Sequence, residues 1–193
     1  IGRGVQMLEF ELNKQKIIND EVFKELLAQK QDVLHRVIAG IPHYSDNLGW
    51  FDVAQHAHTE MIDSILSTAT EIKEKADVFV LIGVGGSNNA ARAMIEALKS
   101  ELDGVEVVYS GNTLSPRQMK NTLALLEGKS VYINCIAKNF ETLEPGASFR
   151  ILRNYLYERY GANASERIIV TGSRGSSLEK LSEEEGYRFF EFP

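Results

Sequence analysis

The sequence predicts an α/β fold, a three-layer sandwich built on a five-stranded parallel, doubly wound sheet, with an N-terminal helical arm. From Ala76 onward, short apolar runs alternate with amphipathic segments, which is typical of parallel strands joined by right-handed helical crossovers. The run Val78–Ile82 is apolar at every position, which indicates a strand buried on both faces. We expect residues 76–193 to form the sheet domain and residues 1–75 to pack on the sheet.

Residues 1–75 are predicted to contain a short strand at 7–12 and two helices. The first helix begins at Asn19 or Asp20, which are good N-caps, and ends near Ala39 before Gly40. The second helix runs roughly from position 52 to position 75. Its apolar residues recur at helical spacing and are expected to face inward: Val53, Ala57, Met61, Ile62, Ile65, Leu66, Ala69 and Ile72.

The rest of the chain divides into five strands and four helices. The strands are predicted at about 77–83, 105–110, 130–137, 167–171 and 188–192, and the helices at about 87–100, 115–127, 144–160 and 175–185. Ligands of such sheets bind outside the carboxyl ends of the strands, near the point where the strand order reverses. That rule selects the loops at 83–88, 137–144 and 171–177.

Composition excludes several classes of function. The 193 residues carry a net charge of −6, which argues against a nucleic acid or an anionic membrane as partner. No stretch approaches the ~18 apolar residues of a membrane span. The single Cys135 lies in an apolar run, so we interpret it as a core residue of a protein in the reducing cytoplasm.

The glycine-rich turn after the first strand predicts an anion site. Glycines at 83, 85 and 86 allow a sharp turn and close approach to a ligand, and Ser87 begins a helix whose free N–H groups favour an anion. A dinucleotide fingerprint would need glycine where Asn88 stands, and no Lys-Ser/Thr pair follows as in a P-loop. The alternative is a tight turn that binds nothing.

The loop after the third strand offers the remaining parts of a phosphate site. Lys138 emerges at the strand end and Thr142 supplies a hydroxyl just before the next helix. With Ser87 they would form a cradle of two hydroxyls, one cation and a helix N-terminus. Glu141 opposes this, because a carboxylate ~6 Å from a phosphate charge costs about 3 kcal/mol at an effective dielectric near 20. The alternative for Lys138 is a solvated surface lysine.

The other polar groups predict no catalytic constellation. The loop at 171–177 carries Arg174 among hydroxyls, and its simplest interpretation is a helix start with a serine cap. His56 and His58 lie two apart on a predicted helix and so face different ways, which argues against a metal site. The histidines are His35, His43, His56 and His58.

Five ordered motifs resemble the glucose-6-phosphate isomerase family, most closely its bacterial branch. Residues 80–87 (VLIGVGGS) with 90–93 (AARA) resemble the first sugar-isomerase (SIS) motif of that family. The others are LGWFD at 48–52, YSGN at 109–112, AKNFETLEP at 137–145 with Phe149 and Arg150, and EEGY at 184–187. The resemblance covers almost the whole chain and is strongest over 48–193.

The resemblance implies a function that the residues alone do not. Members of the family have two SIS domains and interconvert glucose 6-phosphate and fructose 6-phosphate in glycolysis and gluconeogenesis, without a metal or nucleotide cofactor. The resemblance places phosphate contacts at Gly86, Ser87, Lys138 and Thr142. It also implies a homodimer in the cytoplasm, with a sugar phosphate as ligand.

Two departures from the family pattern shape the expected role. Ala137, Asn139 and Glu141 stand where the family usually has hydroxyl side chains, so Asn139 and Glu141 are only secondary site candidates. The family's glutamate base and ring-opening histidine would lie beyond Pro193, so no catalytic residue is assigned here. We expect an N-terminal portion of an isomerase that is inactive alone; the alternatives are a sensing or regulatory sugar-phosphate module and a scaffold without a site.

Overall fold

A computed structural model describes residues 19–39, 57–98, 104–138 and 140–191. The chain divides into two compact units, Ile1–Gln55 and His56–Pro193. In the first unit, helix α1 (Asp20–Ile38) begins as predicted, because the side-chain oxygen of Asn19 accepts the N–H of Val22 at 2.8 Å. The predicted strand at 7–12 and the LGWFD motif lie outside the described residues.

The second unit contains the sheet and its helices. The helices are α2 (Thr59–Lys75), α3 (Gly86–Leu98), α4 (Pro116–Leu126), α5 (Leu143–Tyr160) and α6 (Ser177–Glu185). The strands are β1 (Val78–Ile82), β2 (Glu106–Ser110), β3 (Val131–Ile136), β4 (Ile168–Gly172) and β5 (Arg188–Glu191), with a 3₁₀ segment at Gly161–Arg167. All five strands and the four helices after β1 are confirmed, with small differences at their ends.

Helix α2 begins later than the sequence predicts. Its N-cap is His58, whose backbone is extended and whose Nδ1 accepts the N–H of Met61 at 3.3 Å. Residues 51–56, where the predicted helix begins, lie outside the described part. Helix α2 belongs to the unit that holds the sheet, so only α1 of the two predicted helices lies in the first unit. Packing of the residues before α2 on the sheet stays a prediction.

The sheet is entirely parallel, with strand order β2-β1-β3-β4-β5. Ile82 at the end of β1 lies beside Ser110 of β2 on one side and Cys135 of β3 on the other. Because the chain moves from β1 to β2 in one direction and from β2 to β3 in the other, the order reverses between β1 and β3. Parallel sheets of this kind bind ligands at that reversal.

The main core lies between the sheet and helices α4, α5 and α6. It is built from fully buried apolar side chains, among them Val78, Val80, Ile82, Leu126, Ile133, Phe149, Leu152, Val170 and Leu178. Cys135 belongs to the same core, and burial raises the pKa of its thiol to about 12. The interpretation of Cys135 as a core residue is therefore confirmed.

Helices α2 and α3 cover the other face only in part. Ile72 of α2 packs with Tyr132 and Ile169 of the sheet, and an apolar groove of about 730 Å³ remains between the two helices. Several residues predicted to face inward are exposed, because the described elements leave this part of the face open: Ala57, Ile62, Ile65 and Leu66.

No helix in the described ranges has the length and apolar content needed to span a lipid bilayer.

Candidate functional site

Three loops meet at the carboxyl edge of the sheet, beside the reversal of strand order. The N–H of Gly83 donates to the carbonyl of Ser110 at 3.0 Å. Gly111 has φ +87°, and a Cβ built on it would lie 2.9 Å from the nitrogen of Gly83 and 3.2 Å from Cα of Pro145. The loops after β1 and β2 and the first turn of α5 are thus packed backbone against backbone, which only glycine permits here.

The glycine-rich turn leads directly into α3. Gly85 has φ +59°, and its carbonyl accepts the N–H groups of Asn88 and Asn89 at 3.2 and 2.9 Å. Ser87 is the second residue of the helix and is half-buried. A Cβ on Gly83 would lie 3.2 Å from Cβ of Ser87, so the turn folds tightly over the serine. Ser87 therefore stands at a helix N-terminus beside β1, as predicted.

Asn88 fixes this turn, and sequence reasoning missed it. Its side-chain amide donates to the carbonyl of Gly83 at 3.1 Å, and the residue is 2% exposed. From the sequence, Asn88 only argues against a dinucleotide fingerprint, which would need glycine at this position. Its helical spacing with the half-buried Ala91 and Ile95 could have indicated that it faces inward.

The loop after β3 is held by the loop after β4. Ala137 donates its N–H to the carbonyl of Thr171 at 2.9 Å, and the carbonyl of Lys138 accepts the N–H of Ser173 at 3.1 Å. The Lys138 side chain is exposed. It forms no ion pair with another described residue.

Thr142 is the N-cap of α5, but its hydroxyl does not cap the helix. The residue has extended backbone angles, and its side chain makes no capping hydrogen bond. Its carbonyl accepts the N–H of Gly146 at 3.2 Å, which starts the helix. Thr142 is exposed, and in the first turn of α5 only Leu143 and Glu144 have N–H groups without a partner in the helix, because Pro145 has none.

Arg174 is held by carboxylates of its own neighbourhood. Its Nε donates to Glu191 at 3.0 Å and its Nη1 to Glu179 at 3.2 Å. The hydroxyl of Ser176 accepts the N–H of Glu179 at 3.2 Å and caps α6. The interpretation of this loop as a helix start with a serine cap is confirmed.

Two of the candidate residues follow neighbouring strands of the sheet. β1 and β3 are paired through Ile82 and Cys135, and such strands lie about 4.8 Å apart. Ser87 follows the tip of β1 and Lys138 follows the tip of β3. Since α3 and α5 lie on opposite faces of the sheet, their N-termini flank the crevice between these strands.

Relatives of the chain are known. No protein-family model matches it. It is 34% identical over 181 residues to glucose-6-phosphate isomerase of Exiguobacterium sibiricum, covering 88% of this chain and 40% of that protein. It is 36% identical over 180 residues to the same enzyme of Staphylococcus epidermidis, covering 88% and 41%.

This chain is homologous to a part of glucose-6-phosphate isomerase. It spans about 40% of the length of the relatives that it matches, and the family resemblance carried by the five motifs is confirmed.

Solved structures confirm the fold. A hypothetical protein from Thermus thermophilus has a TM-score of 0.74 at 23% identity, over 90% of this chain and 42% of that chain. A glucose-6-phosphate isomerase from Chlamydia trachomatis has a TM-score of 0.63 at 22% identity, over 73% and 26%. At these identities the likeness concerns the fold alone, which is the SIS-type α/β sandwich predicted from the sequence.

The structure describes some of the remaining candidate residues and not others. Gly86 begins α3 beside Ser87, and Glu141 is exposed just before α5. Asn139 lies outside the described residues, as do His43 and His56. Within the described part of the chain, no three potential ligands gather where a metal ion could be held.

Proposed function

We propose that this chain is the N-terminal portion of a glucose-6-phosphate isomerase and that it binds the phosphate group of the sugar. The observation that carries the proposal is the placement of Ser87 and Lys138 after adjacent strand tips, where the strand order reverses. Thr142, at the N-terminus of α5, and Gly86, at the N-terminus of α3, would complete the site. Homology to proteins named glucose-6-phosphate isomerase supports a sugar phosphate as the ligand.

The proposed site suits a phosphate dianion for electrostatic reasons. Helix N-termini present unpaired N–H groups and the positive end of the helix dipole. Lys138 adds a full positive charge, and hydrogen bonds to a charged group contribute about 1.5–3 kcal/mol each. Binding energy from the phosphate, which does not react, would orient the carbon atoms that do.

The reaction of the whole protein would be the interconversion of an aldose and a ketose phosphate. A side-chain base moves a proton between neighbouring carbons through an ene-diol, and such proton transfer needs no metal or nucleotide. In this proposal the base comes from outside the 193 residues. The chain alone therefore binds the sugar phosphate and does not turn it over. A homodimer and a cytoplasmic location are proposed from the same homology.

The test is a calorimetric titration of the chain with 6-phosphogluconate and with gluconate, which lacks the phosphate. We expect binding of the phosphorylated ligand at millimolar concentration or below, weakened by added salt, and no detectable binding of gluconate. Equal affinity for the two ligands would contradict a phosphate site.

A coupled assay with fructose 6-phosphate tests the second part. The chain alone should show no turnover, and turnover by it would contradict the proposal. A longer form of the protein should be active; if it binds the sugar phosphate without turnover, a sensing module is the better description.

A further inference from the structure

The motif YSGN at 109–112 carries the chain from strand β2 to the carboxyl edge of the sheet. Tyr109 and Ser110 are the last residues of β2, and Ser110 is 6% exposed. Gly111 is still buried, whereas Asn112 is exposed. The chain therefore leaves the core between these two residues, and Asn112 is the first residue of the loop to reach the surface.

Gly111 lies against both elements that carry the proposed phosphate contacts. A Cβ built on it would lie 2.9 Å from the nitrogen of Gly83, in the turn that leads to Ser87. The same Cβ would lie 3.2 Å from Cα of Pro145, in the first turn of α5. Since consecutive Cα atoms are about 3.8 Å apart, Asn112 is one residue away from the place where the two elements meet.

The loop beyond Asn112 is held by hydrogen bonds of its own. The hydroxyl of Thr113 accepts the N–H of Ser115 at 3.1 Å. The hydroxyl of Ser115 accepts the N–H of Gln118 at 3.4 Å and caps α4. Asn112 therefore lies between two fixed points, Gly111 and Thr113. Its side-chain amide has no hydrogen-bond partner among the residues that the structure describes.

Contacts to the phosphate alone do not select a sugar. The N–H groups, hydroxyls and lysine of the proposed site would bind the phosphate of any ligand, so the hydroxyl groups of a sugar need partners of their own. A side-chain amide offers two donors and an acceptor, and a hydroxyl group both donates and accepts. A polar group that binds a substrate hydroxyl strongly disfavours ligands that lack the hydroxyl.

We propose that Asn112 hydrogen-bonds a hydroxyl group of the sugar and so makes the site selective for a sugar phosphate over phosphate alone. This inference rests on the proposed function. The supporting observation is the exposed amide one residue from Gly111, which packs against the turn before Ser87 and against the helix that begins after Thr142. In this proposal Asn112 takes no part in proton transfer and does not contact the phosphate.

The test is calorimetric titration of the parent chain and of Asn112→Ala with 6-phosphogluconate, with inorganic phosphate as a competitor at constant ionic strength. We expect Asn112→Ala to bind 6-phosphogluconate about fivefold more weakly than the parent, because one hydrogen bond is lost. The affinity for inorganic phosphate should equal that of the parent. Asn121→Ala, at an exposed asparagine of α4, is the control and should leave both affinities unchanged.

The outcomes separate this inference from the proposed function. If Lys138→Ala weakens the binding of 6-phosphogluconate while Asn112→Ala keeps the parent's affinity, the inference is overturned and the proposed function stands. Equal weakening for 6-phosphogluconate and inorganic phosphate in Asn112→Ala would also overturn it, since the residue would then act on the phosphate. If the parent chain binds neither ligand, both are overturned.

Discussion

The side-chain amide of Asn88 donates a hydrogen bond to the carbonyl of Gly83 across the glycine-rich turn, at 3.1 Å. The pair closes the turn between β1 and α3, and Asn88 is almost fully buried there. Because Ser87 lies between these two residues, the bond also holds the backbone that carries the serine side chain.

Asn88→Ala should lower the free energy of unfolding by about 2 kcal/mol, because a buried carbonyl loses its partner. Urea unfolding measures this. Asn89→Ala is the matched control, since Asn89 is the exposed neighbour on the same helix and should change stability by less than about 0.5 kcal/mol. Equal effects of the two substitutions would show that the Asn88 bond does not stabilise the turn.

Gly111→Ala should be strongly destabilising. The added Cβ would lie 2.9 Å from the backbone nitrogen of Gly83, and the positive φ adds about 1–2 kcal/mol of strain. Gly128→Ala is the control, because Gly128 has φ +78° with no atom within 4 Å of a built Cβ. In thermal and urea unfolding we expect Gly111→Ala to cost at least about 1 kcal/mol more than Gly128→Ala. A smaller difference would argue against close contact of the three loops.

Protonation of Glu71 at acid pH should lower the free energy of unfolding. The hydrogen bond from Arg188, at 2.8 Å, and those from Lys75 and Tyr132 hold the pKa of Glu71 below its ordinary value of 4.5, although partial burial opposes this. A depressed pKa in the folded state gives stability that is present above pH 4.5 and is lost as pH falls through the folded pKa.

Urea unfolding between pH 6 and about pH 3 tests this linkage. The parent chain should lose stability more steeply than Glu71→Gln, whose side chain does not titrate. Glu74→Gln, at an exposed site on the same helix, is the control for the loss of one carboxylate from α2. If the free energy of unfolding of Glu71→Gln changes with pH as steeply as that of the parent, ionised Glu71 does not stabilise the fold.

Arg174→Ala should leave the affinity for 6-phosphogluconate within about twofold of the parent. Its guanidinium is paired with Glu179 and Glu191, and exposed ion pairs of this kind contribute about 0–1 kcal/mol to stability. A tenfold loss of affinity in calorimetry would mean that Arg174 leaves its carboxylates to bind the ligand.

The sheet and the helices after β1 could be predicted because each strand is a short apolar run between helical patterns. The start of α2 could not, since histidine is an uncommon N-cap and the residues before it read as helix. The exposure of Ile62, Ile65 and Leu66 could not be predicted either, because periodicity shows which residues share a face and not what covers that face.

Some features of the candidate site could be predicted from the sequence and others could not. The spacing of the glycines selected Ser87 and the position at a strand end selected Lys138, and both signals are local. The pairing of Arg174 with Glu191 joins residues 17 positions apart, and the N–H that binds the carbonyl of Lys138 comes from Ser173, which follows another strand. Contacts made only in the folded chain leave no local pattern in the sequence.

The most direct test of the account is the ratio of calorimetric dissociation constants for 6-phosphogluconate between Lys138→Ala and the parent chain. Lys129→Ala is the control, because Lys129 precedes β3 and pairs with Glu106 at the opposite edge of the sheet. Loss of a charge-assisted contact predicts at least about a tenfold weakening for Lys138→Ala and none for Lys129→Ala. Equal affinities of Lys138→Ala and the parent would contradict the proposed phosphate site.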